Sequence, residues 1–205
     1  MRARLVVCWI ISYVFLASPA LLRADEVRLS SLPAQPAFTV SDAIEPLARQ
    51  YATPKAIADF LHRHFTFMRD QDLFGEIEYW QAPEEFLTRR AGDCEDYALM
   101  ARELLVRNGI EAHVFSLFGE EGYAHTVCVF ADERGRYNVM NQDKLRYYRA
   151  PTLETLASQM YPGWTFGGIT ERTGIRGRLV KEITNPHPAS TLAALYALPA
   201  SGLNR

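Results

Sequence analysis

Cysteine is scarce in this chain, charge is nearly balanced, and no apolar run is long; each of these excludes a class of protein. Three cysteines in 205 residues are too few for a disulfide-stapled scaffold. Basic and acidic residues number 22 and 24, and no basic stretch is interleaved with aromatics. Nucleic acid is therefore not expected as the main partner. Glycine and proline, 12 and 11 residues, are too sparse for a collagenous chain, and 48% hydrophobic residues are too many for a disordered one. No internal repeat is present. The one extended apolar run, Leu5 to Ala17, is too short for a comfortable membrane span.

What stands at the start has the order of a secretory signal peptide. Arg2 and Arg4 precede the apolar run, and Ser18-Pro19-Ala20 and Leu22-Arg23-Ala24 follow it with small residues suited to cleavage. Residues 1–24 are expected to be a signal peptide and residues 25–205 a single domain. The protein is expected to be periplasmic or secreted, with no stable membrane span after cleavage; an uncleaved N-terminal anchor is the alternative. Cys8 follows Val7, not the small residue of a lipid-attachment site, so no lipid is expected. Only Cys94 and Cys128 would remain in the mature chain, which leaves a disulfide open.

Beyond a Pro- and Ser-containing lead-in, Ser41 is placed to cap a first helix and Thr53-Pro54 to open a second. Ile57, Phe60, Leu61 and Phe65 recur along the second at helical spacing. Residues 68–82 read as a loop, and Pro83 starts a short helix ending near Arg90. The clearest helix follows. Asp93 is a good N-cap, Asp96 can complete a capping box, and Tyr97, Ala98, Ala101, Leu104 and Leu105 mark one apolar face before Asn108-Gly109. The period then changes to that of strands over Ala112–Phe118, Ala124–Phe130 and Arg136–Asn141. Thr152–Tyr161 could be a further helix, and the tail from Pro186 has weak signals. Helices followed by an antiparallel sheet make an α+β fold.

Thiol chemistry needs a thiolate, a base to generate it and a group that orients the base. Gly92-Asp93-Cys94-Glu95-Asp96-Tyr97-Ala98 puts Cys94 in a helical first turn, where the dipole lowers a thiol pKa. Glu95 and Asp96 oppose this, and the expectation is that Cys94 points inward while they point outward. In Gly122-Tyr123-Ala124-His125-Thr126-Val127-Cys128, alternation sets His125 and Val127 on one strand face, with Thr126 and Cys128 on the other. Cys128 is thus expected to be a buried small hydrophobe rather than a disulfide partner. The next strand ends with Asn141 and, two residues on, Asp143; either could hold the imidazole of His125. His62 and His64 sit two apart on a helix, on different faces, so a metal pair is not expected there, and His187 lies in a loop. Tyr161-Pro162-Gly163-Trp164-Thr165-Phe166 could line a groove or pack as a core edge.

Tyr79-Trp80-Gln81-Ala82-Pro83-Glu84-Glu85-Phe86-Leu87, the Gly92–Ala98 segment, Gly122–His125 and Tyr137–Asn141 together resemble the transglutaminase-like core over about residues 52–145. The closest likeness is to the bacterial transglutaminase-like cysteine proteinases. That resemblance implies a papain-like fold with a Cys-bearing helix on an antiparallel sheet. It implies Cys94 as nucleophile and His125 as general base, in a hydrolase of peptide or amide bonds acting through an acyl-enzyme. The family's third residue is usually Asp; it falls here on Asn141, with Asp143 held in reserve. Trp80 and Gln81 correspond in position to the upstream oxyanion donor of the wider superfamily, and the backbone N–H of Cys94 is the other donor. No cofactor is expected, although relatives that bind calcium through acids flanking the nucleophile direct attention to Asp93 and Glu95. A protein or peptide substrate is implied, and oligomeric state is left open. Acyl transfer to an amine, as in transglutaminases, and a non-catalytic envelope-binding or scaffold role are the alternatives.

Overall fold

A computed structural model describes residues 40–186. The expected signal peptide of residues 1–24, the lead-in up to residue 39, and His187 with the tail after it lie outside the described residues. The elements are α1 (Val40–Gln50), α2 (Pro54–His64), β1 (Thr66–Phe67), α3 (Asp70–Leu73), α4 (Pro83–Arg89), β2 (Ala91–Gly92) and α5 (Cys94–Arg107). After them come β3 (Ala112–Gly119), β4 (Ala124–Ala131), β5 (Tyr137–Asn141), β6 (Lys144–Ala150), α6 (Leu153–Met160), β7 (Trp164–Thr173) and β8 (Arg176–Thr184). No helix among the described residues is long and apolar enough to cross a membrane.

Local chemistry accounts for the helical half. Thr53 Oγ1 accepts from the Ala56 N–H at 3.2 Å, and Pro54, which has no N–H to satisfy, occupies the first helical position of α2. Ser41 lies inside α1 rather than at its cap, because the helix already includes Val40. The expected loop of residues 68–82 contains the single turn of α3. Asp96 accepts from the Asp93 N–H at 3.2 Å, closing the start of α5, and Asn108 and Gly109, the latter at φ 74°, end it.

The six-stranded sheet is antiparallel, in the order β6-β5-β4-β3-β7-β8. Alternation along the central strands divides the interior into two cores. Val114, Cys128, Phe130 and Met140 pack against Tyr97, Ala98, Met100, Ala101, Leu104 and Leu105 of α5 and against α1 and α2. Phe115, Leu117, Val127, Val129 and Val139 face the other way, onto Leu153, Leu156 and Ala157 of α6 and onto Trp164. Each fully buried Leu contributes about 1.5–3 kcal/mol of burial, and Leu104, Leu105, Leu117 and Leu156 are all fully buried.

Three strands, β6, β7 and β8, lie in the segment where the sequence signals only a helix. The two edge strands bury almost nothing: only Ala150 of β6 and Ile183 of β8 are buried. Cys128 is a buried free thiol, as expected, but the reason differs. It shares the sheet face of α5 and lies deep beneath that helix, so depth, not the opposite face, separates it from Cys94.

Candidate active site

The backbone before Cys94 is folded around one carboxylate. Asp96, fully buried, accepts from the Gln81 N–H at 2.8 Å, from Gln81 Nε2 at 2.6 Å and from the Asp93 N–H at 3.2 Å. Gln81 Nε2 also donates to Ala91 O at 2.9 Å. Gly92 is needed beside them, since a Cβ there would stand 2.1 Å from Asp96 Oδ2 and 2.6 Å from Gln81 Nε2. Burial pushes the Asp96 carboxyl up to about 7, against the lowering effect of the Gln81 hydrogen bonds. Both amide protons of Gln81 are therefore spent, and Gln81 is not an oxyanion donor; it fastens the segment before α4 to the start of α5. Trp80 is buried, and its Nε1–H donates to Glu78 Oε1.

Cys94 opens a cleft of about 410 Å³, lined among others by Trp80, Asp93, Glu95, Ser116, Phe118, His125, Thr126 and Leu179. Its thiol donates to Glu95 Oε2 at 3.2 Å. Burial first, and then the Glu95 carboxylate, raise the Cys94 thiol well above its ordinary range, while a hydrogen bond from the Thr126 backbone lowers it. The helix-dipole expectation is thus overridden by the surroundings. Nor do the neighbouring acids point outward: Glu95 is 3% exposed and Asp96 0%. The cause is the segment 70–81, which is bonded to the first turn of α5 through Gln81 and to the β7–β8 hairpin through Arg172, Ile175 and Arg176, bringing Asp70 and Glu78 with it.

Five carboxylates consequently converge near Cys94. The ligand atoms of Asp70, Asp93 and Asp96 lie within 4.8 Å of one another, as do those of Asp70, Glu78 and Glu95. Asp70 Oδ1, Asp93 Oδ1 and Glu95 Oε1 are buried without a hydrogen-bond partner. Burial is the first cause of the raised Asp70 carboxyl, at about 6, and it raises Glu95 strongly as well. The Cys94 sulfur lies within 4.8 Å of ligand atoms of Asp93 and Glu95, but the crowded and underbonded donors are hard carboxylate oxygens, and that oxygen set fits a divalent cation such as calcium. Asp93 and Glu95 belong to it; Asp70 and Glu78 come from the loop and carry no signal in the sequence.

His125 stands near the start of β4, beyond the last paired residue of β5, so its ring can border the cleft of Cys94. Its Nε2 meets Asn141 Oδ1 at 2.9 Å. Asp143 is engaged elsewhere, 2.6 Å from Nδ1 of the exposed His62. An amide oxygen only accepts, so Nε2 carries the proton and the lone pair of neutral His125 lies on Nδ1. The Tyr123 ring lies 6.4 Å from that of His125 and stacks on Tyr161 at 4.0 Å. Of the remaining segment, Trp164 is fully buried and Phe166, 38% exposed, stacks on Phe118 of the cleft. Ser116, Thr126 and Thr170 on the cleft floor were missed as site residues. Strand alternation marks the first two as polar positions in the rows of Val114 and Cys128. A larger hollow of about 580 Å³, lined by Phe130, Arg134, Tyr147 and Arg149 among others, holds none of this chemistry.

A family model described as bacterial transglutaminase-like cysteine proteinase matches residues 39–153. No curated protein matches the sequence. Among solved structures, calcium-bound LapG of Legionella pneumophila is 16% identical, over 77% of this chain and 99% of that one, with a TM-score of 0.43. EGTA-treated LapG of the same organism is 18% identical, over 72% of this chain and 88% of that one, also at 0.43.

Proposed function

Because the chain belongs to the family of bacterial transglutaminase-like cysteine proteinases, we propose that it is a thiol-dependent hydrolase of peptide or amide bonds working through Cys94, His125 and Asn141. The observation that carries this reading is the pairing of His125 Nε2 with Asn141 Oδ1 at 2.9 Å, in a ring that shares its cleft with Cys94. Asn141 holds the tautomer in which Nδ1 is the base. The Cys94 thiol passes its proton to that nitrogen, and the thiolate adds to the scissile carbonyl. The oxyanion is met by the Cys94 N–H, at the first turn of α5 where backbone donors are free. The leaving amine takes the proton back from His125, and water then hydrolyses the acyl-enzyme.

Asp70, Glu78, Asp93 and Glu95 are the residues that would hold calcium, and the bound ion would supply the positive charge that this carboxylate cluster lacks. With their charge offset, the same residues no longer oppose a thiolate on Cys94. The basic, apolar and small-residue order of residues 1–24 supports export to the periplasm or beyond. The test is a thiol-directed amide probe applied with and without calcium. The unsubstituted protein should be labelled and Cys94→Ala and His125→Ala should not. Equal labelling of Cys94→Ala would remove the nucleophile from the proposal.

A further inference from the structure

Ser116, Thr126 and Thr170 set three hydroxyls side by side on the cleft floor. They come from β3, β4 and β7, are 3%, 7% and 5% exposed, and all border the cleft of Cys94. Ser116 and Thr126 are direct partners across β3 and β4, with their Oγ atoms 2.9 Å apart. Thr170 Oγ1 donates to Ser116 Oγ at 3.0 Å. The neighbouring pair in the same rows, Val114 and Cys128, is apolar and lies under α5. Polar residues thus replace apolar ones where the sheet face opens into the cleft. Thr126 also borders the same cleft as Cys94 and His125.

Proton counting fixes what this floor offers. Three hydroxyls hold three protons. Thr170 gives one to Ser116 at 3.0 Å, with Gly168 O a more distant acceptor of the same proton at 3.4 Å, and the link between Ser116 and Thr126 uses another, whichever way it runs. One proton therefore stays on Ser116 or Thr126, beside lone pairs that can still accept. An apolar side chain laid on the floor would bury that donor unmet. An ammonium has donors and no acceptor, so it too leaves the proton unmet. A carboxylate would accept it, but Glu78, Asp93 and Glu95 border the same cleft against the single Arg176, and that excess of acids, before any cation is bound, disfavours a further anion. The group that remains is neutral, carries an oxygen acceptor and can also donate.

We propose, resting on the peptidase reading, that the Ser116–Thr126–Thr170 floor is a substrate subsite for an uncharged hydroxyl or carboxamide side chain of the peptide. One substrate residue lies on the floor while a neighbouring carbonyl meets Cys94. The subsite selects among peptides and takes no part in the bond-breaking step.

Panning a randomised peptide library against the chain carrying Cys94→Ala tests this, with cleavage of the same library by the unsubstituted chain alongside. One position should be enriched about three- to tenfold in Ser, Thr, Asn and Gln over Ala, Val and Leu. Thr126→Val should abolish that enrichment while other positions keep theirs, and Thr126→Ser should restore it. If Thr126→Val fails to fold, Ser116→Ala should show the same selective loss. In cleavage, the matched Thr and Val peptides should differ mainly in KM. Retained peptides without such a position, or a Thr126→Val variant that keeps the enrichment or weakens all peptides alike, overturn the subsite and leave the peptidase reading standing. No peptide retained and none cleaved would overturn both.

Discussion

Removing the Asp96 carboxylate should cost more than removing its charge. In Asp96→Ala, the Gln81 N–H, the Asp93 N–H and one Gln81 amide proton lose their acceptor in a buried setting. Each orphaned donor costs about 1–3 kcal/mol. Part of this is recovered, because a buried carboxyl is itself costly and the space vacated can admit water. A net loss of about 2–5 kcal/mol is expected, which for a domain of this size lowers the melting temperature by about 10 °C. Asp96→Asn keeps one oxygen for the Gln81 N–H, and Gln81 Oε1, buried without a partner, can turn to accept from the new amide. The Asp93 N–H is still left without its acceptor, so that variant should lose about 1–3 kcal/mol, less than the Ala variant. Thermal melts followed by circular dichroism give the comparison at a single pH. An Asp96→Ala protein that melts within about 2 °C of the unsubstituted one, a shift of about 1 kcal/mol or less, would show that Asp96 is not the hub of this turn. So would an Asn variant as damaged as the Ala one.

Asn141→Ala should lose part of kcat, Cys94→Ala nearly all of it, and Asn141→Asp should stay active because a carboxylate can hold the same ring. Asp143→Asn, acting on a residue that meets His62, should leave peptide cleavage unchanged; an inactive Asp143→Asn protein would contradict the assignment. Calcium should raise the melting temperature of chelator-treated protein, with about 2.7 kcal/mol gained at one hundred times Kd; a melt indifferent to calcium argues against the carboxylate cage. Iodoacetamide near neutral pH should alkylate Cys94, faster with calcium than with chelator, and spare Cys128, which is 0% exposed; modification of Cys128 first would refute the site. N-terminal sequencing of protein expressed in a bacterial host should find a start near Leu21 or Asp25, and an intact Met1 in membranes would exclude cleavage.

The elements that could be read in advance are those whose instructions are local. Asp93, Asp96 and Asn108-Gly109 bracket α5, and its apolar spacing falls on the face that packs against β3, β4 and β5. The three strands that follow read as short runs rich in β-branched and aromatic residues because both of their faces are buried. β6 and β8 were illegible because an edge strand exposed on both sides has no period to display, as Lys144, Arg146, Tyr147 and Arg149 illustrate. In β7, Gly167-Gly168 breaks the β-branched pattern for a reason supplied by the neighbouring strand: a Cβ on Gly168 would lie 1.9 Å from Lys181 O.

The site divides in the same way. Cys94, His125 and Asn141 have fixed places at the start of α5, the start of β4 and the end of β5. Alternation alone sets His125 with Val127 and Val129 on the face away from α5, and its place beyond the β4–β5 pairs is what lets it border the cleft. The carboxylates are not so fixed. Asp70 and Glu78 arrive on a segment whose path is set by tertiary bonds, the Asp70 carboxylate to the Tyr79 N–H and Glu78 O to Arg176. Those bonds turn Glu95 from an expected surface acid into a buried one, and they turn a helix start that should favour a thiolate into one that disfavours it. A group of buried, underbonded carboxylates beside a thiol opposes that thiol's ionisation in the absence of positive charge. The geometry that holds the acids in place is therefore also what would make thiol reactivity answer to a cation.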